Sequence, residues 1–212
     1  MRYCPNKHTD FSYYENMRRD ILTYIPKDVK CILSVGCGAG ITEAELVKSN
    51  IKVVGIEINH KAAMAARERG IIVLEGDALD IDLSKYGDLF DCLIYADVLE
   101  HLTDPLAVMT YHVKFLRDNG TVIVSVPNFR HYSVFQQLFI QGYVNYVDAG
   151  ILDRTHIRIT TRKMILQWFE QLGLKVLSNH YNMGKKSRIL SICLIGLAKE
   201  FLSRQICLVA QK

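Results

Sequence analysis

Residues 31–40, CILSVGCGAG, constrain this chain more than any other stretch. Ile32, Leu33 and Val35 read as a short buried strand. Gly36, Cys37, Gly38, Ala39 and Gly40 follow as a tight turn, and Ile41–Lys48 has the pattern of a helix. Glycines admit positive φ and let a ligand lie against bare backbone. The first N–H groups of a helix have no partner inside it and can donate to a carboxylate or phosphate. Strand, glycine turn and helix N-terminus in this order form a cradle for a nucleotide-type cofactor.

The spacing of the glycines selects among such cradles. A dinucleotide fingerprint is G-x-G-x-x-G/A. Here the glycines stand at 36, 38 and 40, and Ile41 occupies the place of the third small residue. A nicotinamide dinucleotide is therefore not expected to bind.

The remaining chain alternates strands and helices. Residues 11–25 read as a helix ended by Pro26. Tyr13 and Tyr14 at its start read first as core packing and second as cofactor cover. Residues 51–58 form a second strand with Glu57 near its end, where a carboxylate can accept from both hydroxyls of a ribose. Asn59 caps a helix over residues 61–69 that Gly70 stops. A third strand, residues 71–74, runs into Asp77, which can accept from an adenine amino group. Residues 88–96 are a fourth strand leading to Asp97-Val98-Leu99-Glu100-His101. Asp104 and Pro105 open a helix that closes at Gly120, and residues 121–126 are a fifth strand. Strands alternating with helices give a parallel α/β sheet. Ligands of such sheets bind at the C-terminal ends of the strands, where all the residues above fall.

Residues 129–160 break the alternation. The segment is rich in Phe, Tyr and His, and a connection of this length inside a domain is usually functional. It reads as a substrate lid with a short helix at 134–140. Read as an extended strand, Arg154, His156 and Arg158 share one face, opposite Thr155 and Ile157. A basic face turned inward, with Arg130 and His131 beside it, would suit an anionic acceptor such as a phosphorylated or nucleotide-linked sugar. A helix over 161–172, a sixth strand over 174–181, an apolar helix over 188–204 and a last strand over 205–211 complete the chain.

Five stretches in this order, VGCGAG, GIEIN, GDALD, FDCLIYADVLEHLTDP and GTVIVSVPN, resemble the class I S-adenosylmethionine (SAM) methyltransferases over nearly the whole chain. YYENMRRDILTYIP and GILDRTHIRITT further resemble a bacterial subgroup often associated with cell-surface glycan synthesis. The resemblance implies one domain over residues 1–212. Its fold is α/β: a Rossmann-like seven-stranded sheet, mostly parallel with an antiparallel last strand and helices on both faces. It implies SAM as cofactor and S-adenosylhomocysteine as product, with contacts at Gly36, Cys37, Gly38, Gly40, Glu57, Ile58, Asp77, Ala78 and Asp97. One position departs from it: the family usually carries an acid just before the glycine turn, where this chain has Ser34.

The sulfonium of SAM already carries an activated methyl, so the protein must place a nucleophile in line and exclude water. A hydroxyl acceptor also needs a base, and His101, just past the fourth strand, is the candidate, with His156 next. The acceptor is expected to be a small molecule or glycan precursor methylated on oxygen. The competing reading is a non-catalytic partner protein on the same fold, as in homoserine acetylation for methionine synthesis, which a blocked pocket would favour.

Composition bounds the rest. A net charge of +4 without a dense basic stripe does not call for nucleic acid. The six cysteines form no CxxC pair and sit largely in apolar runs, as in a reducing cytoplasm. No metal-ligand spacing is present. The first residues lack the apolar core of a signal peptide, and the longest apolar run is too short to span a bilayer. A homodimer is compatible with this pattern.

Overall fold

The computed structural model describes residues 11–86, 89–183 and 198–212. Its seven strands are β1 (Cys31–Val35), β2 (Lys52–Glu57), β3 (Ile72–Glu75), β4 (Phe90–Ala96), β5 (Leu116–Pro127), β6 (Lys175–Asn182) and β7 (Gln205–Gln211). They form one sheet in the order β3-β2-β1-β4-β5-β7-β6. β1 pairs in parallel with both β2 and β4, so Leu33 lies opposite Val54 on one side and Leu93 on the other. β7 runs antiparallel between β5 and β6. This is the Rossmann-like sheet with an antiparallel last strand that the motifs imply.

Strand alternation divides the core in two. Leu33 and Val35 of β1, with Leu93 and Tyr95 of β4, pack against Val108 and Met109 of α4 (Pro105–Val113) and Ile165 and Phe169 of α6 (Arg162–Gln171). Ile32, Cys92 and Ile94 face the other way, toward Ile21 of α1 (Arg19–Leu22), Leu46 of α2 (Ile41–Lys48) and Ala63 and Ala66 of α3 (His60–Glu68). All five residues of β1 are buried, as expected of a parallel strand covered on both faces. The chain leaves β1 toward β2 and β3 on one side and returns through β4 on the other. The crevice at the C-terminal ends of β1 and β4 is thus the topological switch point.

Several elements differ from the sequence reading. The single helix expected over 11–25 is a 3-10 turn, Phe11–Glu15, and the four-residue α1. The break lets Arg18 turn its side chain inward while its N–H donates to Thr42 Oγ1 at 2.9 Å. β5 starts earlier than residue 121 because Leu116 pairs with Phe90 before a bulge that includes Asn119 at φ 64°. The lid helix is the short α5 (Tyr132–Phe135) continued by a π-helical turn, Gln136–Gln141. Most of the apolar helix expected at 188–204 lies outside the described residues, which show helix at Lys199–Leu202. No helix among the described residues is long and apolar enough to cross a membrane.

One buried side chain ties α4 to the sheet edge that carries the site. His112 Nε2 lies 3.0 Å from the Ala78 carbonyl and Nδ1 lies 3.1 Å from the Tyr95 hydroxyl. A carbonyl only accepts, so Nε2 carries the proton and Nδ1 accepts from Tyr95. Burial pushes the imidazole down to about 4. A histidine depressed on folding binds more protons in the unfolded chain, so its contribution is complete above pH 6.5 and fades as pH falls toward 4. Between pH 7 and 4.5 this group is expected to cost about 2.5 kcal/mol of stability. Urea unfolding at the two pH values should show His112→Gln losing that much less than the parent; equal losses would contradict a neutral buried imidazole.

Candidate active site

The glycine turn is bare backbone by necessity. Gly36, Gly38 and Gly40 all have positive φ, at 70°, 55° and 75°. A Cβ on Gly38 would lie 3.0 Å from the Tyr14 carbonyl oxygen, which also accepts the Ala39 N–H at 3.0 Å. A Cβ on Gly40 would lie 2.2 Å from Ile71 Cδ1. Close packing of helix on strand therefore rests on Gly40, so Ile41 is tolerated one residue later. Tyr13 and Tyr14 cross this turn, and the Tyr14 hydroxyl accepts from Asn59 Nδ2 at 3.2 Å. The Tyr14 backbone thus packs directly on the glycine turn.

Glu57 ends β2 with its carboxylate aimed back at the turn. One oxygen accepts the Gly38 N–H at 2.9 Å and the other the Asn59 N–H at 2.8 Å. Burial pushes this carboxyl up, and those two N–H groups oppose the rise by favouring the charged form. Each oxygen keeps a second lone pair, so two further donors can be taken. Ile58, Gly76, Asp77 and Ala78 continue the same wall. Asp77 also accepts the Leu79 N–H at 3.0 Å, which fixes its turn.

Ser34 does not leave the floor without an acid. Its hydroxyl donates to Glu43 Oε1 at 2.7 Å, and both side chains are buried. Burial pushes Glu43 up and the Ser34 hydrogen bond opposes it. The carboxylate missing at position 34 is thus carried by α2.

Beside it stands Arg18. Its guanidinium pairs with Asp97 and Asp20 and donates to Ser125 Oγ at 2.8 Å. Burial would favour its neutral form, but Asp20 and Asp97 keep it firmly protonated. Asp97 sits at φ 55°, a strained value for a non-glycine residue, and also accepts from Gln205 Nε2. Burial alone would push Asp20 up; the hydrogen bond and charge of Arg18 hold it below the usual carboxylate range.

Past Asp97 the chain turns through Leu99–His101 and brings three ionisable groups together. Glu100 is fully buried, and neither carboxylate oxygen has a hydrogen-bond partner among the described residues. Burial, and after it the charge of Asp97, pushes its carboxyl well up. His156, from the lid segment, places Nε2 3.8 Å from Glu100 Oε1. His101 packs edge-on against His156 with ring centroids 4.9 Å apart, and its Nε2 lies 3.4 Å from the Tyr13 hydroxyl.

The lid segment supplies Ser133, Gln137, Asn145, Asp148, Asp153 and His156 to the pocket wall, among others. The inward basic face read from the sequence does not form. Asp153 caps a turn by accepting the Thr155 N–H at 2.8 Å and its hydroxyl at 2.7 Å, so residues 154–158 are not an extended strand. Arg154 turns outward to Asp148 at 2.7 Å, and Arg158 Nε donates to the Leu102 carbonyl at 3.4 Å. Arg130 pairs with Glu200 at 2.9 Å and lies over the Phe201 ring. His131 is buried and caps α5 by accepting the Ser133 N–H. None of these four lines the pocket, whereas His101 and His156 do. Arg18, Glu43 and Glu100 were not singled out from the sequence. Ser34 standing nine residues before Glu43 was the signal available for one of them.

Together these walls enclose an open pocket of about 1000 Å³ at the switch point. A family model described as a methyltransferase domain matches residues 8–179, most of the chain and all of these walls except Arg204 and Gln205. The chain belongs to the methyltransferase-domain family. This SAM-dependent methyltransferase is 25% identical over 193 residues to a ubiquinone biosynthesis O-methyltransferase of Histophilus somni, covering 82% of this chain and 80% of that one. A Proteus mirabilis protein of the same name is 25% identical over 162 residues, 72% of this chain and 65% of its own length. In fold, the methyltransferase is similar to a SAM-dependent methyltransferase of Archaeoglobus fulgidus, with a TM-score of 0.70 at 18% identity over 92% of this chain and 90% of that chain. A Mesorhizobium loti SAM-dependent methyltransferase gives 0.66 at 14% identity over 91% and 96%. SAM is the cofactor of this methyltransferase family, and S-adenosylhomocysteine its product. Among the described residues the pocket is open rather than blocked.

Proposed function

We propose that this protein transfers the methyl of SAM to a hydroxyl oxygen of an uncharged small molecule. The observation that carries the reading is the convergence of Glu100, His101 and His156 on one end of the cofactor pocket, where a hydroxyl proton can be drawn away. Glu57 takes the two ribose hydroxyls on its remaining lone pairs, Ile58 and Ala78 flank the adenine, and Asp77 accepts from its amino group. Glu43, held by Ser34, faces the ammonium of the methionyl end and stands in for the acid that position 34 lacks. Gly36, Cys37 and Gly38 supply the backbone beneath it, while Gly40 packs against Ile71 and Ala66 behind the turn.

The acceptor side argues against a phosphorylated sugar. Asp148 and Asp153 line it, while Arg130, Arg154 and Arg158 are engaged elsewhere. An anion there would meet two carboxylates, and among the described residues of the wall the guanidinium outside any ion pair is the solvent-exposed Arg204, so the balance of charge stands against it. A neutral hydroxyl compound meets no such repulsion. The relatives named as O-methyltransferases of ubiquinone biosynthesis agree with oxygen as the acceptor atom.

The test is methyl transfer from labelled SAM to a panel of phenols, neutral sugars, sugar phosphates and amines. A methyl ether of a neutral hydroxyl compound is the expected product. Transfer only to amines, or only to sugar phosphates, overturns the assignment of acceptor.

A further inference from the structure

We infer that Glu100, His101 and His156 form a binding site for a divalent first-row transition ion of the zinc type, which fastens the lid segment to the loop after β4. The inference goes beyond methyl transfer and does not depend on it. One ligand atom from each side chain lies within 4.8 Å of the other two. Atoms bound to one ion at ~2.1 Å in a tetrahedron are ~3.4 Å apart, so small side-chain rotations close the set.

The hydrogen bonds around the histidines already fix them as ligands. His101 Nδ1 lies 3.2 Å from the Thr155 carbonyl, and His156 Nδ1 lies 3.0 Å from the Ile151 carbonyl. Carbonyl oxygens only accept, so both Nδ1 atoms carry the proton. Both Nε2 atoms then carry a lone pair: that of His101 accepts from the Tyr13 hydroxyl at 3.4 Å, a contact the ion would replace, and that of His156 faces the Glu100 carboxylate at 3.8 Å. Imidazoles whose far N–H is held by a backbone carbonyl are the usual arrangement around a bound metal. The His156 lone pair and the Glu100 carboxylate repel one another unless a cation or proton stands between them.

Glu100 is the second, independent observation. It is fully buried, and its two oxygens accept nothing among the described residues. A carboxylate in that state is strongly destabilised unless it neutralises or binds a cation. Its backbone carbonyl, in contrast, accepts the N–H groups of Ile157 and Arg158, both at 3.1 Å, so the loop itself is well anchored. An ion here would be held by one residue pair after β4 and one residue of the lid, binding the two segments together.

The donor set narrows the ion. Two imidazole nitrogens with one carboxylate suit zinc, cobalt(II) or iron(II), whereas magnesium and calcium prefer oxygen throughout. With three protein ligands, further coordination positions face the pocket. His101 and His156 would then act through the ion, which would make a hydroxyl held at an open position more acidic, so the cluster would still serve to draw the acceptor proton away.

The purified protein, stripped with EDTA, should be titrated with Zn²⁺, Co²⁺ and Mg²⁺, with uptake read by calorimetry and by the visible bands of bound Co²⁺. Zinc and cobalt are expected to bind at one equivalent per chain. Glu100→Gln and His156→Gln should each weaken that binding at least about 100-fold. S-adenosylhomocysteine titration of the same samples reports separately whether each variant is folded and whether its cofactor site is intact. No stoichiometric uptake by the parent protein overturns the proposal, whatever the variants do. So does zinc binding retained by either variant, or a preference for Mg²⁺.

Discussion

Replacing Arg18 with methionine is expected to lower the unfolding free energy by about 3 kcal/mol. Removing one member of a buried ion pair typically costs ~3–5 kcal/mol, because the partner stays behind uncompensated. Arg18 is 12% exposed, whereas Asp20 and Asp97 are 26% and 35% exposed, so solvent softens the effect and the lower end applies. The substitution leaves two carboxylates in one crevice and also removes the donor to Ser125 Oγ. For a chain of this length ~3 kcal/mol corresponds to a fall in Tm of roughly 6–12 °C. Combining Arg18→Met with Asp97→Asn should restore part of the loss, since one of the stranded charges goes with it. Thermal unfolding of both variants checks this; an Arg18→Met protein as stable as the parent would mean that the network does not hold the N-terminal segment to the sheet.

Glu57→Ala is expected to weaken S-adenosylhomocysteine binding at least about 100-fold. The carboxylate holds the Gly38 and Asn59 N–H groups and, in the proposed complex, two ribose hydroxyls. Hydrogen bonds to a charged group contribute ~1.5–3 kcal/mol each, and losing two to the ligand, with the glycine turn loosened as well, gives ~3 kcal/mol or more. At ~1.4 kcal/mol per factor of ten this exceeds two decades in Kd. Glu57→Gln keeps the shape but offers one acceptor oxygen, and should fall between. In the same titration Glu43→Gln, which keeps the Ser34 hydrogen bond and loses the charge, should weaken binding about 10-fold. Calorimetry decides both. An unchanged Kd for a folded Glu57→Ala protein removes the ribose role, and an unchanged Kd for Glu43→Gln removes the ammonium role.

The parts of the molecule that could be read in the sequence are those where local pattern and tertiary structure demand the same thing. β1 is a continuous apolar run because both its faces are covered, and the glycines at 36, 38 and 40 stand where φ is positive. Asp104 followed by Pro105 marks a helix start, and the Asp104 side chain does accept the Ala107 N–H. The failures are places where a distant partner overrode the local signal. Apolar spacing from Met17 to Ile25 predicts a continuous helix, but the chain breaks at Arg18 so that a guanidinium can reach Asp97, 79 residues away. Alternation at 154, 156 and 158 predicts a basic strand face, but Asp153 closes a turn first and sends Arg154 outward. Nothing local marks Glu100, because the residues that surround it, His156, Ile157 and Arg158, come from the lid more than 50 residues later. Motif spacing brings Gly36, Gly38, Glu57 and Asp77 to one pocket wall, as the structure has them; the wall with Glu100 and His156 is assembled from segments too far apart in sequence for spacing to show.

The position of β7 has a consequence for how this protein comes into being. Its register couples Val124 to Leu208 on one side and Leu208 to Asn179 on the other, so two strands translated earlier wait for a third before the sheet closes. Until residues 205–211 emerge from the ribosome, β5 and β6 each present an open edge, the feature that makes nascent sheets prone to wrong pairing. Contacts of such large sequence separation also form late in folding. Gln205, which steadies Asp97 at the rim of the pocket, arrives with that strand. The glycine turn and Glu57 are made early, yet the finished cleft has to wait for β7.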